Sequence, residues 1–178
     1  MGERLEKTEV RLRAMEPGDV DRMYLWENDR SIWPFGGTRA PISRHQLWEY
    51  ANNYDANPFS AGQLRLIIET ATEDATEPCG TLDPSDIDPV NSRAMVGIMV
   101  APQWRGHGIA TRALTLAGEY CRDTLGLATL ASEVAADNSP SITLFEEKAG
   151  FTRVGTRPSW FRRGDRFVAS ILFQKKLI

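Results

Sequence analysis

The stretch that most constrains this chain is a nearly all-apolar run, Ala94 to Val100, that leads through Pro102-Gln103-Trp104 into Arg105-Gly106-His107-Gly108-Ile109-Ala110 and then into a long amphipathic segment. The apolar run reads as a strand buried on both faces. From Arg105 to about Leu125, Ile109, Ala113, Leu116, Ala117 and Tyr120 recur at helical spacing, and Gly126 is placed to end the helix. A strand, a glycine turn and a helix start in succession have a specific physical use. Glycines at 106 and 108 let the backbone turn sharply and approach a ligand with no Cβ in the way, so successive N–H groups point into one concavity. The helix adds the positive end of its dipole and its unpaired N–H groups, which together favour an anion such as a pyrophosphate. A structural turn gives the same letters. Nucleotide-binding loops fit less well, because no Gly-Lys-Ser/Thr follows and no third glycine stands at the dinucleotide offset.

The flanking patterns predict a mixed α/β order. Thr8 to Ala14 alternate as a strand, with Val10, Leu12 and Ala14 on one face. Pro17-Gly18-Asp19 starts a short helix that carries Val20, Met23, Tyr24 and Glu27 on one face, and Ser43 caps a second running to about Tyr54. Ile32-Trp33-Pro34-Phe35-Gly36-Gly37 forms an aromatic, glycine-rich loop between them. A strand pattern resumes from Gln63, and a polar turn at Glu73 to Pro78 joins it to Cys79–Leu82 as an antiparallel pair. Asp83 to Pro89 reads as an acidic, proline-punctuated loop. Ala128 to Val134 gives another strand, and Ser139-Pro140 opens a helix that stops at Gly150. Phe151–Arg157 and Phe167–Phe173 close the sheet as a hairpin.

At 178 residues, 42% hydrophobic and 25% charged, the chain has the make-up of one domain spanning 1–178. Net charge −3 and pI near 5.5 argue against a main affinity for nucleic acid, which needs a basic footprint. Two cysteines, Cys79 and Cys121, and two histidines do not make a disulfide scaffold or a metal site. No apolar run reaches the roughly 18 residues of a membrane span, and MGERLEKTEV lacks the apolar core of a signal peptide, so a cytoplasmic address is expected.

Arg105, Gly108 and Ala110 occupy the three fixed places of the pyrophosphate loop of the GNAT superfamily of N-acyltransferases, written Arg or Gln, any two, Gly, any one, Gly or Ala. A second block, Asn138-Ser139-Pro140-Ser141-Ile142-Thr143-Leu144-Phe145-Glu146-Glu147-Lys148-Ala149-Gly150-Phe151, resembles the family's Asn-headed helix that ends in Glu-Lys-x-Gly-Phe. The resemblance covers about Glu9 to Leu177. Leu12-Arg13-Ala14-Met15-Glu16-Pro17-Gly18-Asp19 and Trp26-Glu27-Asn28-Asp29 are similar to the branch of spermidine acetyltransferases and ribosomal-protein N-terminal acetyltransferases.

The resemblance implies the GNAT fold: a mixed, mostly antiparallel central sheet of about seven strands flanked by helices and splayed in the middle to hold acyl-CoA. It implies acetyl-CoA as cosubstrate, no metal, and a primary amine of a polyamine-like molecule or a peptide N-terminus as acceptor. The polyamine branch also brings homo-oligomeric rings, which no residue here decides. Coenzyme contacts are expected from the strand at Ile98, Met99 and Val100, and from the loop at Arg105, Gly106, His107 and Gly108. The helix start adds Ile109, Ala110 and Thr111, and the second block adds Asn138, Ser141, Phe145 and Lys148.

In the family the amine attacks the thioester directly, so the protein supplies position, oxyanion donors and proton handling. An alkyl amine with a lysine-like pKa is neutral to only about one part in a few thousand at pH 7, a cost of roughly 4 to 5 kcal/mol. Two expected groups are missing: Met95 stands where many relatives have a glutamate base, and Phe145 where many have a tyrosine acid. The remaining carboxylates that could face the opening are Asp83, Asp86, Asp88, Glu133, Glu27 and Asp29; of these Glu27, Asp83 and Glu133 are the candidates for catalysis, with Glu27 and Asp83 contributing to an acidic acceptor pocket. The missing groups also leave open a catalytically silent CoA-binding regulatory domain.

Overall fold

Alternating side chains and local turn chemistry build one sheet, seen in a computed structural model that describes residues 9–36, 40–53, 57–71 and 75–178. Thr8, Gly37, Tyr54 and the Glu73-Asp74 part of the first polar turn lie outside these residues. The strands are β1 (Glu9–Ala14), β2 (Leu66–Ala71), β3 (Thr76–Asp88), β4 (Arg93–Val100), β5 (Thr129–Ala135), β6 (Thr152–Arg163) and β7 (Arg166–Lys176). They lie in the order β1-β2-β3-β4-β5-β7-β6. Every ladder between neighbours is antiparallel except β4 to β5. The mixed, mostly antiparallel seven-stranded sheet expected above is therefore present.

The helices are α1 (Val20–Glu27), α2 (Arg44–Asn52), a single turn α3 (Pro58–Ala61), α4 (Ile109–Asp123) and α5 (Ser139–Thr143). Ser43 caps α2 through a reciprocal box with Gln46: the Ser43 hydroxyl accepts from the Gln46 N–H, and the Gln46 side chain accepts from the Ser43 N–H. α5 passes directly into a π-helical turn, Leu144–Lys148, and Gly150 at φ 73° ends it. The larger core lies between one face of the sheet and α4, where Ile109, Ala113, Leu114, Ala117 and Cys121 pack on Val96, Leu130 and Phe173. A smaller core on the opposite face joins Met23 of α1 and Leu47 of α2 to Ile67 of β2.

Four expectations need correction. Asp83 to Asp88 is strand, not loop. Pro84 is tolerated because its carbonyl accepts from the Leu64 N–H at 2.8 Å, so its nitrogen faces the irregular lead-in to β2, where no ladder bond is lost. Ala94–Val100 is not buried on both faces: Ala94 and Val96 are buried, Gly97 is exposed and Ile98 to Val100 are half-buried, because β4 loses its neighbour part-way along. Regular helix begins at Ile109 rather than Arg105, and its inner face takes Leu114 and Gly118 while Tyr120 is exposed. On β1, Ala14 is exposed and Met15 goes inside.

Candidate active site

The centre of the sheet opens. β4 and β5 pair only through Arg93–Thr129, Ala94–Leu130 and Met95–Ala131, although β4 runs on to Val100 and β5 to Ala135. Beyond Met95 the strands part, and a cavity of about 120 Å³ lies in the gap, lined by Val96, Gly97 and Ile98 from one side and Ser132, Glu133 and Val134 from the other. Backbone groups on the inner edges of the parted strands have lost their cross-strand partner, so they can bond an inserted chain. Ile98 lines this gap, and Met99 and Val100 continue its edge toward the glycine loop.

The loop beyond β4 has the geometry its glycines allow. A short 3-10 turn, Pro102–Trp104, precedes Gly106 at φ 82° and Gly108 at φ 74°, and Gly108 is the N-cap of α4. A Cβ added at either glycine would meet nothing within 4 Å, so each is there for its dihedral and not for want of room. The first intrahelical bond runs from Arg112 N–H to Gly108 C=O at 3.1 Å. Among the described residues the N–H groups of Ile109, Ala110 and Thr111 therefore have no backbone acceptor, and they face outward with the dipole of a 15-residue helix behind them. This arrangement fits a diphosphate. The Arg105 Nε donates to the Val100 carbonyl at 2.9 Å and braces the loop on the end of β4, while His107 is exposed. The buried indole N–H of Trp104, just before the loop, has no partner among the described residues.

The second block reaches the gap from the far side. Asn138 caps α5, its Oδ1 accepting from the Ser141 N–H at 3.4 Å, and both residues line the cavity. Phe145 lines it too, but as a wall: it is 3% exposed, edge-on to Phe151 and stacked on Phe173. Lys148 lies on the surface at the end of the π-helical turn.

The register puts the candidate carboxylates on one face, opposite α4. Asp83 pairs with Gly97, and Met95 with Ala131, so two residues further on Glu133 stands level with Gly97 across the gap. On one flank Arg65 joins two carboxylates, its Nε 2.7 Å from Asp83 Oδ1 and its Nη1 3.0 Å from Glu27 Oε1. Burial pushes the Asp83 carboxyl up, against the pull of Arg65 and with a push from Glu27. On the other flank the Ser170 hydroxyl, fully buried on β7, donates to Glu133 Oε1, and Arg157 Nη1 of β6 donates to the same oxygen at 3.0 Å. Glu133 is the one of the three candidates that lines the cavity.

Arg65, Ser170, Arg157 and Gly97 were not singled out from the sequence. Their roles depend on strand register, and the one local signal was Gly97 itself, a residue without a side chain in an otherwise bulky strand. Trp26, Trp33 and Trp48 are not among the cavity lining, whereas Phe35 of the aromatic loop is. Among the described residues no group of His, Cys, Asp and Glu is arranged to hold a metal ion, and no helix is long and apolar enough to cross a membrane.

Residues 9–152 match the family model described as the acetyltransferase (GNAT) domain. Over 145 residues the chain is 40% identical to the N-acetyltransferase 9-like protein of Caenorhabditis briggsae, covering 78% of this chain and 72% of that protein. Over 146 residues it is 28% identical to the spermidine N(1)-acetyltransferase of Escherichia coli K12, covering 82% and 74%. Among solved structures it resembles the spermidine N-acetyltransferase of Vibrio cholerae in complex with CoA and spermine, with a TM-score of 0.81, 24% identity and 94% and 95% of the two chains covered. A dodecameric form of spermidine N-acetyltransferase from Vibrio cholerae in an intermediate state gives a TM-score of 0.76 at 25% identity, with 94% of each chain covered.

Proposed function

The chain belongs to the acetyltransferase (GNAT) family, and on that premise we propose how its gap and loop carry out acetyl-CoA-dependent N-acetylation of a primary amine. The observation that carries the reading is the parting of β4 from β5 immediately beside a glycine loop whose helix N–H groups lack backbone acceptors. The coenzyme supplies an activated thioester. In this reading the N–H groups around Gly106 to Thr111 hold its diphosphate, with Arg105 bracing the loop. The Ile98 to Val100 edge and Asn138 with Ser141 take the arm, Phe145 walls it, and the exposed Lys148 adds a cation for the coenzyme's phosphates. One domain over 1–178 suffices for this.

Glu133 is the residue we assign as general base. It lines the cavity, Ser170 and Arg157 both hold its Oε1, and among the described residues Oε2 has no protein partner, so a lone pair is available to an incoming ammonium. One proton passes from the ammonium to Glu133, the neutral nitrogen attacks the thioester carbonyl, and the tetrahedral adduct gives its second N–H proton to solvent as the C–S bond breaks and the thiolate leaves. Phe145 cannot protonate that thiolate, so the proton comes from solvent. Glu27 and Asp83, tied by Arg65, carry one net negative charge as a group and attract the cationic acceptor to this face.

The acceptor we favour is a small polyamine-type cation, since relatives named for spermidine acetylation match most of the chain, and a peptide N-terminus is the second substrate to test. Homo-oligomeric assembly is supported by the dodecameric relative, and a cytoplasmic site of action fits the bacterial relatives. The test is thiol release from acetyl-CoA with spermidine, spermine and peptides bearing a free N-terminus. Sustained turnover with at least one amine is expected; a well-folded protein that releases no thiol with any of them contradicts the reading.

A further inference from the structure

We infer that Arg163 sets the width of the acceptor-side opening, holding Phe35 and Phe161 as opposing walls so that slender unbranched amines are chosen over branched or aromatic ones. The inference rests on the acceptor reading above and deepens it. Phe35 and Phe161 both line the cavity, yet they come from the loop after α1 and from the end of β6. Arg163 joins them: its guanidinium lies 5.3 Å from the Phe35 ring centroid and 5.7 Å from that of Phe161.

The guanidinium is itself fixed. Its side chain is 12% exposed and makes a two-pronged pair with Asp137, Nε to Oδ2 at 2.9 Å and Nη2 to Oδ1 at 3.1 Å. A third bond runs from Nη1 to the Arg162 carbonyl at 3.2 Å. Asp137 precedes Asn138, the cap of α5, so the clasp ties the acceptor walls to the segment expected to hold the coenzyme arm. The Phe35 end is equally set, because the N–H groups of Phe35 and Gly36 both donate to the Ile32 carbonyl, at 2.9 and 3.0 Å. An acceptor wider than an alkyl chain must push Phe35 aside, which breaks its contact with Arg163. A planar fork is needed to bond Asp137 on one edge while offering its faces to rings, and a lysine point charge cannot do both.

Arg163 is thus a positioning residue, acting through the two rings. The test compares wild type, Arg163→Ala, Arg163→Lys and Phe35→Ala in the full chain, using a linear diamine and benzylamine as acceptors. The expected result is a KM for the linear diamine raised roughly tenfold in all three variants, with the benzylamine KM, kcat and the acetyl-CoA KM little changed, so that the preference for the linear amine falls by a similar factor. Lysine at 163 is expected not to rescue. Folded variants that keep the wild-type amine KM and preference overturn the proposal, and Phe35, half exposed, can be removed without threat to the core. If wild type turns over no amine, the acceptor reading has failed separately, and amide exchange decides the clasp. Faster exchange at Phe35 and Gly36 in Arg163→Ala sustains it, and unchanged exchange overturns it.

Discussion

Replacing Gly97 by valine should separate the fold from the reaction. Gly97 lies in mid-strand on β4 opposite Asp83, is exposed, and a Cβ built there meets nothing within 4 Å. Its φ is not in the left-handed region, so valine fits the backbone, and strand preference favours it over glycine by up to about 1 kcal/mol. For a chain of this size that is worth an unchanged melting temperature or a rise of about 2–4 °C. The same methyl groups stand in the 120 Å³ cavity on the face that carries Glu133, where the amine must approach the thioester. Moving a nucleophile by 1 Å costs on the order of 10²-fold, or about 2.7 kcal/mol of barrier. The assay is steady-state thiol release at saturating acetyl-CoA beside a thermal melt of the same preparation. A fall in amine kcat/KM of at least roughly a hundredfold, with no loss of melting temperature, is the expected pair of results. Wild-type kcat/KM in folded Gly97→Val would mean that the amine does not cross Gly97, and the acceptor side would have to be reassigned.

Other perturbations read other parts of the account. Glu133→Gln keeps the shape and most hydrogen bonds but cannot take a proton, so kcat should fall by about 10²- to 10⁴-fold with CoA affinity unchanged; a fall below about threefold removes Glu133 as base. Arg13 bonds Glu69 at 2.6 Å and Asp19 at 2.8 Å through each of two nitrogens, and both carboxylates are nearly buried. Burial pushes Asp19 up, but the Arg13 guanidinium and the Glu16 N–H outweigh it and hold the carboxyl below its ordinary value. That contribution is therefore complete above the unfolded value of about 3.9 and is lost as pH falls through the lower folded one, so acid melts should weaken below about pH 4. Arg13→Ala should cost about 2–3 kcal/mol at neutral pH, a drop of roughly 5–10 °C that differential scanning calorimetry would detect. Burial pushes the Cys79 thiol up to about 12 and that of Cys121 up to about 11, so neither should take iodoacetamide in the native protein. Mass spectrometry showing rapid native alkylation of either one would contradict their burial.

The glycine loop was legible because its requirements are local. Two glycines needing positive φ and a helical period after them are written in consecutive residues, and the dihedrals of 82° and 74° bear them out. The seven strands followed from period and punctuation, except where punctuation misled. Asp83-Pro84 carries loop residues into a strand because Pro84 sits where its missing N–H faces no ladder. Constellations that span the sheet were not legible. Nothing near Glu27 or Asp83 announces that Arg65 joins them, and Ser170 lies 37 positions from the Glu133 it bonds. The Arg163 clasp draws on three separate segments, and in the sequence it is only one arginine in a basic hairpin.

Amide hydrogen exchange with and without CoA tests the central claim most directly, because it reports on the individual N–H groups said to grip the diphosphate. Slowed exchange at 106 to 111 and along 98 to 100, with α2 unaffected, is the result this account predicts. Saturating CoA that leaves those amides unprotected, or protects a different surface, would contradict it.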